Sequence, residues 1–155
     1  MGSFRISLEN NVLILFIGCK AMECFKARFL SKLKELDALC LPVGGYAIAG
    51  SGPLAIRNLR DSDDVDIVVC RELWKKLLVN YVPYDNDHMQ IGRIEVWRDF
   101  INLTYKLEEI VRKAELIEGY PFVGLEDTIS WKKYLGRDKD KEDVRLISLY
   151  LKNKK

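Results

Sequence analysis

In the stretch YAIAGSGPLAIRNLRDSDDVDIVV, residues 46–69, two aspartates open an apolar run that reads as a strand. Asp64 and Asp66 stand two apart, and in a strand that spacing sends both side chains to one side. Two carboxylates held together repel, and each raises the other's pKa unless a cation lies between them. Oxygen-only ligation of this kind suits Mg²⁺ or Mn²⁺, with substrate phosphates completing the shell. Upstream, Gly50-Ser51 forms a turn just ahead of Pro53, a residue favoured where a helix begins. Bare N–H groups at such a turn can hold a phosphate, and glycine lets it come close. Together the two halves suit a nucleoside triphosphate carrying a divalent ion.

Ala49-Gly50-Ser51, followed by Asp64-Val65-Asp66-Ile67, resembles the signature of the nucleotidyltransferase fold superfamily, the polymerase-beta-like group. The resemblance runs from Met22 to Trp97. It implies a third carboxylate from a later strand, and Glu95 in RIEVW is the candidate. Further on, WKKYLGRDKDKEDVRLI resembles the C-terminal signature of AbiEii-type toxins and related stand-alone nucleotidyltransferases, with Lys132, Arg137, Lys139, Asp140 and Asp143 in the matching places. The resemblance implies that Asp64, Asp66 and Glu95 are catalytic and hold Mg²⁺ (or Mn²⁺). Gly50 and Ser51 are then expected to cradle the β and γ phosphates. Lys132, with Arg137 and Lys139, is expected to offset the triphosphate charge. The implied reaction moves a nucleoside monophosphate from an NTP to an acceptor hydroxyl and releases pyrophosphate. An RNA end, a protein side chain and a small molecule stand open as acceptors, as does membership of a toxin–antitoxin pair.

Plainer readings stand beside these. Asp61, Asp63, Asp64 and Asp66 also suit a solvated loop capping an apolar strand. Glu95 also suits an exposed strand position, and Lys132 to Asp143 a salt-bridged helical hairpin. Arg57 and Arg60 suit phosphate contact but read more readily as a charged outer helix face, and Trp74, Trp97 and Trp131 read as core or rim more readily than as a base-stacking platform. GSGPLA satisfies a dinucleotide-binding fingerprint, but the acid that fingerprint needs belongs at the end of the next strand, not its start. A nucleotidyltransferase fold that has lost catalysis and keeps a nucleotide- or protein-binding surface is the third class.

The elements that must position these groups follow from periodicity. MECFKARFLSKLKELDAL places Phe25, Phe29, Leu33 and Leu36 at helical spacing. Tyr46–Ala49 reads as a strand, PLAIRNL as a short helix and DVDIVVC as a central strand. RELWKKLLVNY reads as a helix. MQIGRIEVW reads as one half-buried strand, with Ile94 and Val96 on one face and Glu95 and Trp97 on the other. LTYKLEEIVRKAE, LEDTISWKKYLG and DKDKEDVRLISLYLK read as helices, and LIEGYPFVG as two short extended pieces around Gly119. The expected fold is mixed α/β, a small mixed sheet with helices packed on it. Residues 1–21 are expected to form an extension with extra strands. Residues 22–155 are expected to form the domain, with its core at 22–97 and a helical portion at 103–155.

Composition bounds the rest. The 155 residues are 48% apolar with a formal charge of +2, which suits one globular domain and argues against a broad nucleic-acid-coating surface. The four cysteines form no C-x-x-C pair and His88 is the single histidine, so a zinc site, a disulfide framework and histidine-based triads are disfavoured. That pattern fits a reducing cytosol. His88, in YDNDHMQ, reads as a surface loop residue. NVLILFIGC is too short an apolar run to span a bilayer, so no membrane partner is expected.

Overall fold

The computed structural model describes residues 25–99 and 104–155. The expected strands at 1–21 lie outside that range. Helix α1 covers residues 25–37. It is followed by β1 (Tyr46–Ile48), α2 (Gly52–Ala55), β2 (Val65–Val69), α3 (Arg71–Leu77), β3 (His88–Ile91), β4 (Ile94–Trp97), α4 (Thr104–Arg112), β5 (Glu115–Ile117), β6 (Tyr120–Phe122), α5 (Leu125–Leu135) and α6 (Asp138–Asn153). The fold is mixed α/β, with a six-stranded mixed sheet in the order β3-β4-β2-β1-β6-β5.

Strand β2 is central, as its apolar run requires. It runs antiparallel to β1, pairing Ile67 with Ile48, and parallel to β4, pairing Asp66 with Glu95. The antiparallel partnership of β1 and β2 removes the parallel βαβ unit that a dinucleotide fold is built from. Strand β6 runs parallel to β1, and β5 closes that edge. The extended pieces around Gly119 therefore complete the sheet, so the 103–155 portion supplies two strands as well as its helices.

The segment expected as one strand at MQIGRIEVW is a hairpin. Gly92, at φ +61°, turns the chain between β3 and β4, and glycine suits the first position of such a two-residue turn. His88 thereby starts β3 instead of lying in a loop, and it pairs with Trp97 across the hairpin.

Alternation along the strands sorts the core into two layers. Ile48, Val65, Ile67, Val69, Ile94 and Val96 face α1 and α3, meeting Phe29, Leu33, Leu36, Leu73 and Trp74. The buried side chains of α1 recur at the helical spacing its sequence predicts, and burying each contributes about 1.5–3 kcal/mol. Ala47, Ala49 and Val68 face the other way, against Leu107, Ile110 and Val111 of α4. A third cluster ties Leu54 of α2 to Leu125 of α5 and Ile147 of α6. The α5–α6 turn is made at Gly136, whose φ of +63° ends α5 in the left-handed region. Among the described residues no helix is long and apolar enough to cross a membrane.

Candidate active site

Antiparallel pairing puts the end of β1 beside the start of β2, and parallel pairing puts the start of β4 there too. The Gly50-Ser51 turn, Asp64, Asp66 and Glu95 therefore gather at one end of the sheet. Asp64 precedes the first residue of β2 and is exposed, while Asp66 is half-buried within it. Gly50 has φ +62°, and a Cβ at that position would collide with the Asp66 carboxylate. The turn and the acid are thus in direct contact, which explains why the chain needs glycine here. Helix α2 has four residues, and the Gly52 N–H already donates to the Ala49 carbonyl at 3.1 Å. A helix this short has little macrodipole. What the turn offers a phosphate is the Ser51 hydroxyl, which faces the cleft beside the Asp66 carboxylate.

A cleft of about 680 Å³ opens on this end of the molecule. Gly50, Ser51, Asp64 and Asp66 line it from the sheet side, and Lys132, Arg137, Lys139 and Asp143 from α5 and α6. Of the predicted site residues, Glu95 alone is not part of this lining. It sits on the same face as Asp66 in the neighbouring strand, and its Oε2 pairs with His88 Nε2. His88 in turn stacks on Trp97, with ring centroids 3.9 Å apart and planes 7° apart. Trp97 Nε1 donates to Asp66 Oδ1 at 3.1 Å. A chain of contacts thus runs from Glu95 through His88 and Trp97 to Asp66.

Burial pushes the Asp66 carboxyl above the ordinary aspartate value. The Trp97 hydrogen bond opposes this, the negative charges of Asp64 and Glu95 reinforce it, and Lys132 opposes it from farther off. Three acids within electrostatic reach, with so little to balance them, form an environment that a cation relieves. Their oxygen donors suit a hard divalent ion such as Mg²⁺. Among the described residues no three His, Cys, Asp or Glu side chains are drawn together tightly enough to hold an ion as they stand. Glu95 as it stands is engaged by His88.

Across the cleft lies a buried ionic network. Lys132 on α5 is 3% exposed, and Asp140 and Asp143 on α6 are buried as completely. Lys132 Nζ lies 2.7 Å from Asp143 Oδ2 and 3.6 Å from Asp140 Oδ1. Arg137 forks onto Asp140 at 2.6 and 3.2 Å. Arg60 holds Asp143 through Nε and, at 2.7 Å, through Nη2. Burial alone raises both aspartates, but the hydrogen bonds from Arg137 to Asp140 and from Arg60 and Lys132 to Asp143 outweigh it and leave both below the ordinary value. The downstream motif is therefore a helical hairpin built on buried ion pairs that also walls the cleft. Lys139 and Arg137 stand exposed at its rim.

Arg60, His88 and Trp97 lie outside the motifs and belong to this site, Trp97 through its bond to Asp66. Arg60 is on the cleft wall, bound to Ser51, instead of on an outer helix face. His88 is the partner of Glu95. Its hairpin was readable from two short runs flanking Gly92-Arg93. Arg60 carries no comparable local signal. Arg57, by contrast, is turned away, pairing with Glu115 at 2.6 Å. Compared with known proteins, the chain matches no family model and no curated protein.

Proposed function

We propose that the protein is a metal-dependent nucleotidyltransferase of the polymerase-beta-like kind, related to small stand-alone members. It would transfer a nucleoside monophosphate from an NTP to an acceptor hydroxyl. The observation that carries this reading is the direct contact between Gly50 and the Asp66 carboxylate at the floor of a cleft walled by Lys132, Arg137 and Lys139. A phosphate cradle and an acidic pair that touch each other suit a triphosphate bound together with its cation.

In this reading Asp64 and Asp66, with Glu95 once it has left His88, would hold Mg²⁺ or Mn²⁺, which would supply positive charge for the developing phosphate charge. Gly50 and Ser51 receive the β and γ phosphates. Lys139 and Arg137 offset triphosphate charge from the rim, and Lys132 does so from within the wall, since phosphoryl transfer depends mainly on positioning and electrostatics. The acceptor oxygen bonds to the α-phosphorus, the bond to the β-phosphate oxygen breaks, and pyrophosphate leaves. Glu95 takes the acceptor proton once it has turned from His88. The acceptor class is an RNA end, a protein or a small molecule, and the compartment is a reducing cytosol.

The test is calorimetric binding of the four NTPs with Mg²⁺ and with chelator. Metal-dependent binding that Asp64→Asn and Asp66→Asn remove is the expected result. The Glu95–His88 pair favours one second reading, a binding module that keeps the fold without catalysis. In that case nucleotide binds without metal or not at all. Full transfer activity in the double Asp64→Asn, Asp66→Asn variant would end the enzyme reading.

A further inference from the structure

We infer that Arg60 is a positioning residue that sets the Ser51 hydroxyl as a hydrogen-bond donor to the terminal phosphates of the nucleotide. The inference rests on the nucleotidyltransferase reading and deepens it.

Each nitrogen of the Arg60 guanidinium makes a hydrogen bond. Nη2 donates to Ser51 Oγ at 2.5 Å and to Asp143 Oδ2 at 2.7 Å. Nε donates to Asp143 Oδ1, and Nη1 donates to the Asp61 carbonyl at 2.7 Å. Asp143 is 1% exposed and is itself held by Lys132, so the fork it accepts cannot swing. One planar group thus joins the phosphate turn, the loop leading to Asp64 and the C-terminal helical hairpin.

The direction of the Ser51 bond follows from chemistry. Arginine has five N–H donors and no acceptor. Ser51 Oγ must therefore accept, which leaves its own proton to donate elsewhere. Among the described residues no protein acceptor takes that proton. Ser51 lines the cleft with Asp64, Asp66 and Lys132, so an anionic oxygen of a ligand bound in the cleft is the acceptor in reach. Lysine cannot do the same work. Its single ammonium lacks the rigid fork that spans Asp143 and Ser51 together.

The experiment is a double-mutant cycle on Mg²⁺-NTP binding, using whichever of the four NTPs binds best and its own monophosphate as the reference ligand. Ser51→Ala and Arg60→Lys are each expected to weaken NTP binding about tenfold, the loss expected for one hydrogen bond to a charged oxygen. The double variant is expected to be no weaker than either single one, and monophosphate binding is expected to be unchanged. The Ser51→Ala melting temperature should stay at the wild-type value. A merely structural Arg60 would move NTP and NMP affinity alike. If Arg60→Lys does not fold, a cycle of Ser51→Ala with Asp143→Asn asks the same question by loosening the fork. Additive losses, or equal losses for NTP and NMP, overturn the inference while leaving NTP binding by the wild type intact. Failure of the wild type to bind any NTP overturns it together with the enzyme reading.

Discussion

Asp66 is held where its charge is unwelcome. Because folding raises its pKa, the native state binds more protons than the unfolded one between the ordinary aspartate value and the raised one. Stability from this group therefore falls as pH rises through that interval, and at neutral pH the carboxylate works against the fold. Asp66→Asn keeps an acceptor for Trp97 and removes the charge. It should raise the melting temperature in chelator, by about 2–4 °C for each kcal/mol relieved, and lose Mg²⁺-dependent NTP binding. A lower melting temperature in chelator would contradict this account of the acid. Lys132 is the opposite case. Its removal leaves Asp140 and Asp143 buried, each with only an arginine. Lys132→Met should cost about 3 kcal/mol in urea unfolding, the lower end for breaking a buried pair. Its effect on NTP affinity is thus entangled with folding. Lys139 is exposed, so Lys139→Ala should weaken NTP binding with no change in unfolding free energy.

Among the elements, those with strong periodicity were legible. Helix α1 buries Phe29, Leu33 and Leu36 as its spacing demands, and the apolar run of β2 places it centrally. The hairpin β3–β4 read as one strand, because Asp85, Asp87 and His88 look like loop chemistry and obscure the two short runs that flank Gly92-Arg93. The turn at Gly50 was readable as a turn. Its contact with Asp66 was not, since nothing local records a pairing between strands. Nor was the clamp of Arg60 on α6, a contact across 83 positions. Gly50→Ala tests the turn. It should force the Asp66 carboxylate aside and abolish NTP binding. Gly136→Ala should instead cost about 1–2 kcal/mol of unfolding free energy, the strain of a Cβ at φ +63°, and leave affinity unchanged.

At the scale of the whole molecule, the ionic network joins the sheet to the C-terminal hairpin, and it responds to acid. Asp140 and Asp143 have depressed pKa values in the folded protein, so their contribution is fully present above the ordinary aspartate value, about 3.9, and is lost as pH falls through the depressed ones. Urea unfolding free energy should therefore drop steeply below about pH 4, and Asp143→Asn should flatten that drop. The same clamp has a kinetic consequence. Contacts between distant segments must pay loop-closure entropy before they are rewarded, so they form late. The sheet strands β1 to β4 can pair while a nascent chain still emerges, but the wall bearing Lys132 and Asp143 cannot close on Arg60 until α6 is free. A folding molecule would pair β1 to β4 first and close its cleft last.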